Sequence, residues 1–407
     1  IEYNFYLYMN TLSTLISKKG NPDALIDHHN ETSSCFAIYG FEEEFTIDST
    51  GLSMINNNKL SGNPFINFQN ALNYWKKNSD HISAFGFISY DMKNIIFPKL
   101  NLKKTNSTFP LLWFGKPKEV FEYKINSSNK KLNKCKLELS KDLINFNDYK
   151  NNINKIKNYL FKGDSYQINF TQPIFYKTND NPFDIYLNLR NKVKPFYGSY
   201  LNNKHYSILS FSPEKFIEKK KDVIASFPMK GTIKRSINRN KDYVLLNNLQ
   251  NSSKDKAEHL MIVDLIRNDL GKICNIGSIK VNDLFNIQSF PTVHQMISKV
   301  SGKLKKNINE TEIILSLFPG GSITGAPKER SIEIIDELEN YERGIYTGSI
   351  GYITKSGDMD FNIAIRTLEI KNKIAKYPVG GGIVWDSIPK NEWLEAIQKA
   401  KILSLLK

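Results

Sequence analysis

Lys230 lies in Ser226-Phe227-Pro228-Met229-Lys230-Gly231-Thr232, and Glu214 lies upstream in Ser212-Pro213-Glu214-Lys215-Phe216. A candidate nucleophile and a candidate proton donor therefore fall in neighbouring strand-and-turn segments. A lysine attacks carbon only as the free amine, so its ordinary pKa of about 10.4 has to fall, and apolar neighbours such as Phe227 and Met229 favour that by opposing the charged form. Most lysines are solvated and inert. Here the Gly-Thr that follows suggests close backbone approach to a ligand, and the second half of the chain is dense in glycines and acids that supply the rest of a site.

Two acid pairs carry a second kind of chemistry. Asp255 with Glu258, and Glu392 with Glu395, are each spaced three apart, which places both carboxylates of a pair on one helical face. Two such faces suit one hard cation. Oxygen ligands without His or Cys favour Mg²⁺, which accepts one or two protein carboxylates and keeps waters or ligand oxygens for the rest. Taken alone, the same acids read better as exposed partners of Lys256 or Lys399.

Arg366 follows the strand-like alternation Asp360-Phe361-Asn362-Ile363-Ala364-Ile365, with Gly380-Gly381-Gly382 a short way on. An arginine fork and side-chain-free backbone N–H groups suit a carboxylate. A substrate with two carboxylates would then be held by metal at one end and by Arg366 at the other. The loop Phe318-Pro319-Gly320-Gly321-Ser322-Ile323-Thr324-Gly325-Ala326-Pro327-Lys328 has a superficial likeness to a phosphate loop, but the Walker spacing and its Gly-Lys-Ser/Thr are missing.

These residues need elements to hold them. Apolar and aromatic runs broken by glycine predict strands over 35–47, 82–90 and 109–124, and the Asn, Ser and Lys-rich stretch 124–142 predicts a solvated connection. A soft boundary there divides a sheet-rich region, 1–145, from a catalytic region, 146–407. Helical periodicity covers 149–163, 255–270 and 389–406, and the glycine-rich loop opens another helix through Leu338. In 164–171 polar and apolar residues alternate as in a half-buried strand, with Gln167 on the face of Ser165 and Asn169. Helices mixed with strand pairs, without regular strand-helix alternation, predict an α+β fold.

The bulk numbers exclude more than they identify. With 407 residues, 40% hydrophobic and 24% charged, the chain has ordinary globular composition, and no apolar run approaches the length that crosses a bilayer. The net charge of +15 is spread along a Lys-, Asn- and Ile-rich sequence and not gathered in a stripe, so no nucleic-acid partner is expected. Cys35, Cys135 and Cys274 are odd in number and show no metal spacing, which fits a reducing cytoplasm. Ile1 to Leu15 does not have the basic segment and apolar core of a signal peptide.

The ordered blocks Gly163-Asp164-Ser165-Tyr166-Gln167-Ile168-Asn169, Phe211-Ser212-Pro213-Glu214, Pro228-Met229-Lys230-Gly231-Thr232, Glu258-His259-Leu260-Met261-Ile262-Val263-Asp264-Leu265-Ile266-Arg267-Asn268-Asp269, Gly320 to Lys328, and Gly380-Gly381-Gly382-Ile383-Val384 resemble the chorismate-utilising enzymes. The likeness runs nearly continuously through the second half and more loosely through Gly86-Phe87-Ile88-Ser89-Tyr90-Asp91 in the first third. It implies an intertwined two-layer architecture of mostly antiparallel sheets with flanking helices. It also implies Mg²⁺ held by Glu258 and Glu395, with Asp255 and Glu392 orienting coordinated waters.

In the same resemblance Arg366 and the Gly380, Gly381 and Gly382 run hold the enolpyruvyl carboxylate, Lys230 is the nucleophile, Glu214 the acid, and Thr232, His294 and Tyr346 are further pocket positions. Gln167 stands where the water-adding branch carries a lysine base, and glutamine does not deprotonate water. Lys230 stands where anthranilate synthases typically carry alanine. Both point to the aminodeoxychorismate branch, with anthranilate formation as the nearest alternative and a noncatalytic chorismate-binding module as the remote one. The chain has no glutaminase segment, so ammonia is expected from a separate glutamine amidotransferase subunit in a heterodimer.

Overall fold

The computed structural model describes residues 10–29, 34–105, 109–125, 133–290 and 293–406. The first nine residues of the expected non-signal start, part of the 124–142 connection, and Pro291 and Thr292 beside His294 lie outside the described residues. The fold is α+β, with mostly antiparallel pairing, as the mixture of elements predicts.

Runs of consecutive buried apolar and aromatic residues, covered on both faces, produce the long strands of the first third. The Cys35–Ile47 strand pairs antiparallel with Leu112–Lys124, and Ile82–Ile88 pairs with the same partner. Two pairings then carry the early strands into the later region. Ala24–Asp27 runs antiparallel to Tyr197–Asn202, and Ile82–Ile88 runs antiparallel to Ser349–Thr354. The sheet therefore continues across the boundary drawn near residue 145.

The strand Gln167–Lys177 begins slightly later than the alternation suggests, and it pairs along its whole length with Ile374–Ile383. In that register Gly380 faces Thr171, Gly381 faces Phe170 and Gly382 faces Asn169. The glycine run is thereby fixed beside Gln167. The strand Met229–Lys234 pairs with Val293–Lys303, with a register shift between Lys230 and Thr232 where Gly231 takes φ +71°. A β-bulge at a left-handed glycine is the ordinary way to re-aim a side chain, and here the residue before it is Lys230.

Helices supply the acids. Ser253–Ile273 starts at Ser252, whose hydroxyl accepts the Asp255 N–H at 3.2 Å, and so extends the predicted 255–270 helix at both ends. Its buried residues Ile262, Val263 and Leu270 join the largest apolar cluster, together with Leu317, Ile334 and Ile335. Truncating a fully buried residue such as Ile262 to alanine costs about 2–5 kcal/mol. Pro389–Ala400 begins with proline in its first turn and gives way to a 3-10 turn, Lys401–Leu406, splitting the predicted final helix.

Candidate active site

The re-aimed Lys230 meets Gln167 at the glycine run. A Cβ built on Gly382 would lie 2.9 Å from the Gln167 side-chain amide and 3.1 Å from Lys230 Nζ, so any side chain there would displace both. One built on Gly381 would lie 3.6 Å from Glu395 Oε1, 3.8 Å from Glu392 Oε2 and 3.5 Å from Lys399 Nζ. The three glycines thus form a floor bordered by the amine, the amide, two acids and a second lysine. Asp255 borders the bulge itself, with Oδ1 3.2 Å from the position a Cβ on Gly231 would take.

Gln167 is fully buried, and neither its amide nitrogen nor its amide oxygen has a hydrogen-bond partner among the described residues. An orphaned buried amide is costly, so its persistence marks a place where a ligand completes the bonding. Lys230 has no ion pair within 4.0 Å among the described residues. Burial drives its pKa below the usual lysine range, against the pull of Glu258, Glu214 and Glu395, and Lys399 pushes the same way as burial. Burial raises Glu214 to about 7, opposed by a hydrogen bond from Ser322 and by Lys230. The amine is thus shifted toward its neutral form and the carboxyl toward its protonated form, as a nucleophile and an acid require.

The acids divide by surroundings. Burial raises Glu258, with Asp255 and Glu395 adding like charge and Lys230 and Lys254 opposing. Burial also raises Glu392, opposed by a hydrogen bond from Ser387. Glu395 is exposed to solvent along part of its side chain; desolvation of its inner side acts upward, but Lys399, 2.7 Å away and also donating to the Gly380 carbonyl at 2.7 Å, brings it below the usual range.

No three acids, histidines or cysteines among the described residues come together as a ready metal cage. Carboxylates from two helices, sensing one another's charge at the edge of a ligand-sized floor, still match a cation that takes one or two protein oxygens and completes its shell from water and substrate. Glu258, Asp255, Glu392 and Glu395 are the oxygen donors these two helices bring to it.

Arg366 does not continue a strand. It sits between the Met359–Ile363 and Thr367–Lys371 strands at φ +51°, a conformation unusual for a residue other than glycine, and its carbonyl accepts the Phe211 N–H at 3.0 Å. Its guanidinium makes no ion pair or hydrogen bond among the described residues. Tyr346 is buried, and burial raises its hydroxyl above the usual tyrosine range. Both Arg366 and Tyr346 lie near enough to Tyr377, on the strand that leads into the glycine run, to act electrostatically on its hydroxyl.

Two expected pocket residues have other company. His294 is buried, with Nδ1 2.8 Å from Ser289 Oγ and Nε2 3.1 Å from Asp242 Oδ1, so both ring nitrogens are engaged by the protein. Thr232 is exposed and accepts a hydrogen bond from Gln295 at 3.3 Å.

Three other residues join the site without having been singled out. Lys399 had been read only as a neighbour that neutralises the helix acids. Ser322, in the glycine-rich loop, donates to Glu214 Oε1 at 2.8 Å. His259 pairs its Nε2 with Ser298 at 2.7 Å, leaves Nδ1 unpartnered, and is held neutral near a pKa of about 4 by burial and by Lys230. Its place directly after Glu258 was the available signal.

A half-buried amine, a buried acid and carboxylates from two helices meet around the glycine floor, and the arginine that makes no ion pair among the described residues lies on the same sheet system. The family model described as chorismate binding enzyme matches residues 23–404, and the chain belongs to that family. It is 40% identical over 248 residues to aminodeoxychorismate synthase component 1 of Bacillus subtilis, an alignment covering 61% of this chain and 53% of that protein. The chain therefore matches about half the length of that relative. It is 33% identical over 331 residues to anthranilate synthase component 1 of Saccharolobus solfataricus, covering 78% and 79% of the two chains. Its fold superposes on anthranilate synthase component I from Streptococcus pneumoniae with a TM-score of 0.82 at 26% identity, over 93% of each chain.

Proposed function

We propose that this chain aminates chorismate at C4, giving 4-amino-4-deoxychorismate for 4-aminobenzoate and folate synthesis, with ammonia delivered by a separate glutamine amidotransferase subunit. The observation that carries the reading is Lys230 itself, its amine shifted toward neutrality and set against Gln167 and Gly382 in place of a water-activating base. Similarity to aminodeoxychorismate synthase components supports it.

Arg366, with the glycine floor, holds the enolpyruvyl carboxylate, and the buried Tyr346 stands at the same end. Bound by Glu258 and Glu395, Mg²⁺ would neutralise the ring carboxylate. Lys230 Nζ forms a bond to ring C2, the conjugated double bonds shift, and the C4–O bond breaks. Glu214 gives its proton to the departing hydroxyl, which leaves as water. Ammonia then adds at C4, the double bonds shift back, the C2–N bond to Lys230 breaks to return the neutral amine, and the new C4 ammonium gives a proton back to Glu214. Pyruvate is retained throughout. Gln167, with both amide groups free, orients reactants without taking a proton.

The test is chorismate turnover with Mg²⁺ and ammonium salt, followed by mass spectrometry. The expected product is 4-amino-4-deoxychorismate, and Lys230→Ala should slow its formation by about 10³-fold or more. With ammonia withheld, an adduct should appear on the peptide that contains Lys230. Anthranilate with free pyruvate would instead establish the second reading, which similarity to anthranilate synthase components favours. An active Lys230→Arg enzyme would rule out the covalent step, because arginine keeps the charge and not the nucleophile.

A further inference from the structure

The glycine-rich loop has no phosphate chemistry to perform, and its contacts show a different task. A Cβ on Gly321 would come within 2.4 Å of Leu265 Cδ2, and one on Gly320 within 2.9 Å of Ile363 Cδ1. Leu265 belongs to the Ser253–Ile273 helix that carries Glu258, and Ile363 donates its backbone N–H to the Glu214 carbonyl at 3.0 Å. The turn Gly321–Ile323 is thus seated at a spacing that a side chain would prevent, and Thr324 Oγ1 pins it by donating to the Gly320 carbonyl at 2.9 Å. Ser322 is the side chain this turn delivers, and its hydroxyl donates to Glu214 Oε1 at 2.8 Å. Glu214 Oε2 has no hydrogen-bond partner among the described residues.

We propose that Ser322 is the positioning residue for the acid of the reaction: by donating to Oε1 it leaves the transferable proton of Glu214 on Oε2, facing substrate. The inference rests on Glu214 acting as the acid, and not on which product is formed. A carboxylic acid carries one O–H. With Ser322 donating to one oxygen, that oxygen is an acceptor, and the proton resides on the other. When Oε2 gives up its proton, negative charge develops on both oxygens, and the Ser322 bond becomes charge-assisted. The bond is then stronger after transfer than before, so it favours the transition state over the bound substrate.

The experiment follows chorismate consumption against pH for wild type, Ser322→Ala and Ser322→Thr. Ser322→Ala should lower kcat about 10- to 100-fold, equivalent to about 1.4–2.7 kcal/mol, while the chorismate KM stays within about twofold. Its alkaline limb should move to higher pH, because the bond favouring the ionised carboxyl is gone. Ser322→Thr, which keeps the hydroxyl, should restore both rate and limb. An unmoved limb in Ser322→Ala, a threonine variant as slow as alanine, or a loss confined to KM would overturn the assignment.

The same shift can be read without turnover from the Glu214 carboxyl band in infrared difference spectra, with Glu214→Gln as the blank. An unchanged titration in Ser322→Ala would overturn the proposal even if the protein acts on another substrate. The nature of the product, measured on wild type, bears only on the proposed function.

Discussion

Two arginines of this chain stand in opposite conditions. Arg343, buried at the end of the region that includes Glu339 and Tyr341, uses its whole fork. Nε and Nη2 donate to the two Glu339 oxygens at 2.8 and 2.7 Å, Nη1 donates to the Ile323 carbonyl and Thr347 hydroxyl, and Nη2 also reaches the Asn169 carbonyl at 2.7 Å. Glu339 in turn accepts from the Thr171 backbone and hydroxyl. Arg366 has no such partner among the described residues and holds a left-handed backbone as well. The first arrangement is complete without a ligand. The second, like the orphaned amide of Gln167, leaves its donors open among the described residues, and under the function proposed above the contrast separates groups that hold the fold from groups that meet substrate.

Breaking the complete network should have the largest effect. Arg343→Met leaves Glu339 buried without its cation and should cost about 3–5 kcal/mol in urea unfolding, whereas Arg343→Met combined with Glu339→Leu should recover part of the loss. A single variant as stable as wild type would erase the distinction drawn above. At the other arginine the balance should reverse. Arg366→Ala should leave the unfolding midpoint nearly unchanged and raise the chorismate KM about 10- to 100-fold, because a free guanidinium stabilises nothing until a carboxylate arrives.

Glu214 sharpens the comparison through pH. Its folded pKa, about 7, lies above the ordinary carboxylate value, so the folded state resists ionisation. Below about pH 4.5 the group is protonated in both folded and unfolded chains and costs nothing; the cost grows as pH rises to about 7 and is constant above. Glu214→Gln should therefore gain on the order of 2 kcal/mol over wild type at pH 8 and little at pH 4, by chemical denaturation, while losing turnover. The smallest effect should be at Gln167. Gln167→Met removes a buried amide that finds no hydrogen bond among the described residues, so the variant should gain about 1 kcal/mol in stability even as the reaction slows.

Much of the site was legible in sequence because the chemistry was local. The helix acids announce themselves by spacing, the glycine run by its lack of side chains, and Lys230 by the Gly-Thr that follows. Lys399 was not legible as part of the floor, because its second bond goes to a carbonyl on a strand that only sheet pairing brings alongside. Ser322 was hidden for a similar reason: its partner is more than a hundred residues away, and the surrounding glycines suggested an anion instead. The alternation that leads up to Arg366 gives no sign that the backbone turns there into a left-handed conformation. His294 was legible as a residue but not as a side chain already engaged, since Asp242 reaches it from a helix with no sequence link to it.

The pairing of Ala24–Asp27 with Tyr197–Asn202, and of Ile82–Ile88 with Ser349–Thr354, also governs how the chain is born. Synthesis proceeds from the N-terminus at about 5–20 residues per second, so strands made first wait many seconds for partners made near the end. During that interval their hydrogen-bonding edges and the apolar faces of Phe85 and Phe87 are uncovered, a state prone to association with other nascent chains. Emergence of residues 349–354, and not of the first third alone, is the event that lets these early strands complete their pairing.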